Sequence, residues 1–248
     1  GLLSKVYLTK AGYGMSSSRN QEDLDKAAEY ARKVIEESGR NLLPVYSDIF
    51  RLKNNFSEES LLAWHWVVSN QWTSQNTLQS DLGIVGFDEY GATWGGYAGP
   101  SVDLQDAFGE NALSLTRNNV DSRRKATMMM YGDRYMNWWR NKGGFLCDWS
   151  SESVFASPTG AFAVKHIVGS KEDHIAETGG VPSDFMKTSL STHLLRLADI
   201  YLVYAESFLP GVNSTTTNAD ALAAFNKVRA RAIKNYVSVT TISFMDVF

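Results

Sequence analysis

The chain holds one cysteine, Cys147, in 248 residues. A single thiol excludes an internal disulfide and a multi-cysteine zinc site, while leaving the compartment open. Long apolar runs are also missing: no stretch approaches the roughly 18 consecutive apolar residues of a membrane-crossing helix. Nor is there an excess of positive charge. The formal net charge is -3, which gives no global attraction to nucleic acid or an anionic membrane. The short basic cluster Arg123-Arg124-Lys125 reads as a solvated turn. Catalytic signatures are absent: there is no H-E-x-x-H, G-x-S-x-G, Walker A or G-x-G-x-x-G. Asp81, Asp88, Glu89, Asp103, Asp106 and Glu152 supply carboxylates but no pairing that marks glycoside hydrolysis. His166 and His174, with Glu172 and Asp173 between them, read as part of a solvated loop in preference to a metal site. No EF-hand pattern occurs. The chain lacks an initial Met and a signal peptide, and both ends fall in helix-like segments. It reads as an internal piece of a longer protein.

What is present is a large apolar fraction, 44%, enough for a real core. The two ends read as helical hairpins, about 1–38 and 191–233, and residues 40–190 as a loop-rich part with a few short strands. The first helix covers about residues 1–11 and stops at Gly12 and Gly14. The second runs from about Glu22 to Glu37. Its stripe is Leu24, Ala27, Ala28, Ala31, Val34 and Ile35, with acidic residues in the first turn. Small alanines let two helices approach closely, in the manner of tetratricopeptide hairpins, although no repeat of about 34 residues recurs. Glu59 to Val68 reads as a strand with Trp64 and Trp66 in the core. Short strands are expected at Thr127–Tyr131 and Ala161–Val168, and a short helix at Val102–Glu110.

Near the C-terminus, Ser191 or Thr192 is expected to cap a helix ending at Pro210-Gly211. That helix is apolar nearly all round, yet it carries Arg196, Asp199 and Glu206. Arg196 and Asp199 are three apart and can pair. Glu206 has no intrahelical cation, and a buried lone carboxylate is costly. Arg229 or Arg231 on the next helix, capped by Thr217 or Asn218, is the expected partner. The pattern reads as a structural ion network, not a catalytic acid pair.

Two segments carry a resemblance to the SusD/RagB family of outer-membrane nutrient-binding lipoproteins. Arg196-Leu197-Ala198-Asp199-Ile200-Tyr201-Leu202-Val203-Tyr204-Ala205-Glu206 resembles the family's R-x-A-D-[IV]-x-L-x-Y-A-E helix. Phe225-Asn226-Lys227-Val228-Arg229-Ala230-Arg231-Ala232 resembles its [LF]-N-x-V-R-x-R-A helix. Asp121-Ser122-Arg123-Arg124 is similar to a D-x-R element that precedes a short strand, and the two N-terminal helices also fit. The resemblance implies a mainly α fold of tetratricopeptide-like hairpins (an α-α superhelix) carrying an irregular part with a few short strands. It implies that residues 1–248 are one SusD-like domain, incomplete at both ends. It implies a surface lipoprotein of a Gram-negative outer membrane, anchored by a lipid outside this chain. The expected partner is a SusC-like TonB-dependent transporter, and the expected ligand an oligosaccharide or a peptide. It implies no catalysis and no cofactor. A helical-hairpin module that binds only protein is the alternative.

The family has no sequence motif for the ligand, so a site is sought in chemistry. Sugar recognition needs flat apolar faces for C–H groups and amides or carboxylates for hydroxyls. Residues 71–100 offer Trp72, Trp94 and Tyr97 beside Asn76, with glycines at 91, 95, 96 and 99 for tight turns. Trp138 and Trp139 form a second candidate; being adjacent, they cannot both face one side. Tryptophan is buried on average, so each of these also stands as a packing residue.

Overall fold

A computed structural model describes every residue except 15–16, 72, 74, 92, 96–98, 114–116, 149–156 and 248. Among the described residues the helices are α1 (Leu2–Gly12), α2 (Gln21–Glu37), α3 (Leu78–Leu82), α4 (Val102–Ala107), α5 (Ser122–Thr127), α6 (Lys171–Thr178), α7 (Leu197–Glu206), α8 (Ala219–Ala230) and α9 (Phe244–Val247). The strands are β1 (Ser60–Trp64), β2 (Met128–Met130), β3 (Arg134–Tyr135), β4 (Phe145–Leu146), β5 (Ala161–Ala163), β6 (Thr192–Arg196), β7 (Thr215–Thr216) and β8 (Ile242–Ser243). They form two-stranded pairs: β1 with β6, β2 with β5, β3 with β4 and β7 with β8. The molecule is mainly helical, with tetratricopeptide-like hairpins and few short strands.

The chain divides into two compact units. The first comprises Gly1–Val45, Ser57–Ala63 and His193–Phe248; the second comprises Tyr46–Phe56 and Trp64–Thr192.

In the first unit α1 packs on α2, α2 on α7, and α7 on α8. The packing follows from sequence. Asn20 caps α2 by accepting from the Asp23 amide, and Asn218 caps α8. Ala27 and Ala31 of α2, Ala198 and Ala205 of α7, and Ala221 and Ala224 of α8 are all buried, so the helix backbones approach closely. Between them Leu197, Ile200, Val203 and Phe225 fill the core. Each such side chain contributes about 1.5–3 kcal/mol on full burial.

The expected cap of α7 is corrected. Thr192–Arg196 is strand β6, and the helix begins only at Leu197. Its cap position is Arg196, whose backbone N–H donates to Asp199 Oδ2 at 2.8 Å. The expected Arg196–Asp199 side-chain pair is present, at 3.3 Å. The partner of Glu206 is not Arg229 or Arg231. Arg19, from the link between α1 and α2, donates to Glu206 Oε1 at 2.7 Å and to the carbonyl of Leu209 at 2.5 Å. It thereby closes the C-terminal end of α7, where orphan carbonyls gather. Arg231 instead binds Glu59, a carboxylate with no exposed surface just before β1.

In the second unit β2 and β5 pair antiparallel with Met129 opposite Phe162. Both pack with Ile84, Phe87, Trp138, Cys147, Val164 and Ile167. Burial pushes the Cys147 thiol up to about 12. The basic cluster is not a solvated turn. Asp121 caps α5, and Arg124 lies 1% exposed inside it. The Arg124 guanidinium meets Asp133 at 2.5 and 3.0 Å and Glu110 at 2.9 Å, because a buried cation must be paired. His174 is likewise not in a solvated loop. It is fully buried in α6, a helix that Ser170 and Asp173 open with a capping box. Among the described residues no three His, Cys, Asp or Glu side chains gather as a metal site.

Candidate functional site

Segment 188–192 is a spine onto which several polar side chains fasten. Asn55 donates to the Ser189 carbonyl at 2.7 Å and accepts from the Ser191 amide at 3.0 Å. His65 Nδ1 and Ser191 Oγ lie 2.8 Å apart, and Trp66 Nε1 donates to Thr192 Oγ1 at 3.0 Å. Asn76 donates to Thr188 Oγ1 at 3.3 Å and to the Leu190 carbonyl at 3.4 Å. Two aromatic rings stand out from this fixed frame. Trp64 is 61% exposed and Phe56 is 81% exposed, with Phe56 stacked on His65 at 4.5 Å. The expectation of a core Trp64 is therefore wrong, and Trp66 is only half-buried. In β1 Leu61 and Ala63 point inward while Leu62 and Trp64 point out, and the strand ends before residue 66. The even-numbered face is the wet one.

Trp94 is half-buried. Its indole N–H donates to Asp81 Oδ1 at 2.9 Å, and Thr77 Oγ1 donates to the other carboxylate oxygen at 2.7 Å. The backbone N–H groups of Trp94 and Gly95 both donate to the Ser80 carbonyl, at 3.0 and 3.2 Å. This crossing requires glycine: a Cβ on Gly95 would lie 1.5 Å from the Gly83 carbonyl oxygen. The ring is thus held by its edge, with part of it in solvent. Asn76, by contrast, is buried, and its amide is committed to segment 188–190. Trp72 and Tyr97 lie outside the described residues.

Trp138 and Trp139 do separate. Trp138 is buried, stacked on Tyr135 at 4.2 Å and edge-on to Phe87 at 5.4 Å. Trp139 is half-buried in a left-handed backbone conformation, φ 51°. Asp173 holds it there, accepting from the Trp139 amide at 2.5 Å and the Arg140 amide at 3.2 Å. The indole N–H donates to the Phe87 carbonyl at 3.0 Å, and the Lys142 ammonium sits 3.8 Å from the ring centre.

A cavity of about 500 Å³ opens in the same unit. Phe50, Met136 and Trp138 give it apolar walls; Ser47, Ser122 and Asn137 give it hydroxyls and an amide. Arg51, Lys125, Arg134 and Glu177 are its charged residues. Sequence reasoning missed it because the lining comes from five separated stretches. The visible signal was the basic cluster at 123–125, whose third member faces the cavity.

The sequence and fold resemble known proteins. A family model described as the SusD family matches residues 44–246. A SusD-like protein of Bacteroides ovatus is 37% identical over 243 residues, which is 98% of this chain and 40% of that protein. The chain therefore spans well under half the length of that curated relative. A crystal structure with a xylogluco-oligosaccharide aligns with a TM-score of 0.81 at 32% identity, covering 99% of this chain and 45% of the other. A SusD superfamily protein from Parabacteroides distasonis shares the fold, with a TM-score of 0.60 at 20% identity over 99% of this chain and 46% of that one.

Proposed function

The chain belongs to the SusD family, and from that premise we propose that it serves a non-enzymatic cell-surface protein that captures a nutrient oligosaccharide. The glycan passes to a SusC-like TonB-dependent transporter, and the protein is held at the outer membrane by a lipid anchor outside this chain. Residues 1–248 contribute to one SusD-like domain. The observation that carries the reading is Trp64, a large indole kept in water on a hydrogen-bonded frame. With Phe56 beside the same frame, it offers a flat apolar face to a ligand. A ring fixed in advance loses little entropy on binding a sugar face. The relative solved with a xylogluco-oligosaccharide supports a glycan as the ligand. Trp94 is the second platform, with Trp72 and Tyr97 in the same loop region; Trp139 is a third, while Trp138 and Asn76 support from below.

Affinity electrophoresis of the full-length protein in gels containing neutral plant polysaccharides tests this. Retardation by at least one of them, and its loss on Trp64→Ala, is the expected result. Migration unaffected by every polysaccharide, together with binding to peptides, would turn the reading to peptide uptake.

A further inference from the structure

The cavity has a charge imbalance. Among the described residues Glu177 is its one carboxylate, and it is already shared by Arg51 and Arg140, each at 2.5 Å. Asp133 is taken by Arg124. Among the described residues no carboxylate lies within ion-pair distance of Lys125 or Arg134. Arg134 rests on the Gly143 carbonyl at 3.3 Å, and Lys125 lies over the Tyr135 ring at 5.1 Å. Lys125 is half-buried, and that burial lowers its pKa from the ordinary value despite the pull of Asp133. A partly desolvated ammonium without a counter-ion is unfavourable, and an anion entering the cavity relieves it. The rest of the lining says what else the ligand carries. Ser47, Ser122 and Asn137 suit hydroxyl groups, while Phe50, Met136 and Trp138 suit C–H faces. The volume falls within the range of about 300–1,000 Å³ usual for small-ligand sites.

We propose that this cavity binds an acidic sugar, a uronate residue of the captured glycan, with its carboxylate on Lys125 and Arg134. The site is distinct from the exposed Trp64 surface, and the inference rests on the reading of the protein as a glycan binder. It adds a class to that reading: the glycan carries carboxylates.

Titration calorimetry on the full-length protein tests it, using trigalacturonate, a neutral galactotriose, a sulfated galactotriose and a neutral xylogluco-oligosaccharide. Trigalacturonate binds and galactotriose does not. Raising salt from about 0.05 M to about 0.5 M weakens the acidic ligand several-fold. Lys125→Met loses about tenfold or more in affinity for it, Lys125→Arg recovers most of that loss, and Trp64→Ala changes it little. Arg134→Gln, at an exposed position, gives a second loss without risk to folding. Trigalacturonate binding that is absent, or unchanged in both Lys125→Met and Arg134→Gln, overturns the inference. So does preference for the sulfated sugar. In those cases retained binding of the xylogluco-oligosaccharide leaves the glycan-capture reading standing; binding of none of the four removes both.

Discussion

Arg231 grips Glu59 with both arms of its guanidinium, Nη1 to Oε2 at 2.5 Å and Nη2 to Oε1 at 2.8 Å. The same carboxylate accepts from the Leu43 amide at 2.9 Å, and the Glu59 carbonyl accepts from the Leu197 amide at 2.8 Å. One acidic residue thus ties the loop after α2, the entry to β1, the start of α7 and the residue after α8. Glu59→Ala leaves Arg231 buried without an anion. It lowers the unfolding free energy by about 3–5 kcal/mol, read from denaturant midpoints. A loss under about 1 kcal/mol would show the grip to be incidental.

Arg19 and Glu206 form the second tie, and here a double-mutant cycle is the sharper measurement. Arg19→Met and Glu206→Ala each cost about 2 kcal/mol, and together they cost clearly less than the sum. Additive losses would mean that the two residues act separately. The pairing was hidden from sequence because Arg19 lies 187 residues from Glu206. The nearer candidate, Arg229, is instead placed over the rings of Phe225 and Tyr236.

His174 gives the second unit an acid-sensitive point. Its Nδ1–H donates to the Val181 carbonyl at 2.8 Å, and Nε2 accepts from the Ser189 amide at 3.1 Å. Both bonds suit the neutral ring. Burial lowers its pKa below the ordinary 6.5, against smaller opposing pulls from the Val181 bond and Glu177. The unfolded chain therefore binds a proton that the folded chain refuses. Stability falls as pH drops below about 6.5, by up to about 1.4 kcal/mol per pH unit, until the folded-state value is reached. Melting temperatures between about pH 7 and pH 5 read this slope, and His174→Gln flattens it. An equal slope in the variant would place the acid sensitivity elsewhere.

Cys147 should be chemically silent in the folded protein. Its thiol is buried and pushed up to about 12, so almost no thiolate exists at pH 8. Iodoacetamide labels it only after denaturant is added. Rapid labelling of the native protein would contradict the packing described around β2 and β5.

The helical scaffold was legible from sequence because its signals are local. The stripe of α2, its acidic first turn and the cap Asn218 lie within a few residues of the helices they define. The boundary of β6 and α7 was not legible. Leu194, Leu195 and Leu197 continue the apolar pattern of the helix, and only pairing with β1 makes residues 192–196 a strand. Helix α6 is largely polar, so periodicity passed over it, although Ser170 with Asp173 is a readable capping signal. The sequence directed attention to aromatic residues in the loop-rich part, but which ring faces water depends on strand ends and on the frame at 188–192. The charged cavity is assembled from distant stretches, and its one mark in the sequence is the basic cluster at 123–125, whose third member lines it.

Capture of a glycan on an exposed indole is the central claim, and calorimetry with a xylogluco-oligosaccharide tests it most directly. The full-length protein should bind, and Trp64→Ala should lose at least about tenfold in affinity, about 1.4 kcal/mol, with an unchanged melting temperature. Wild-type binding that survives Trp64→Ala at full strength, or no binding by the wild type, would contradict it.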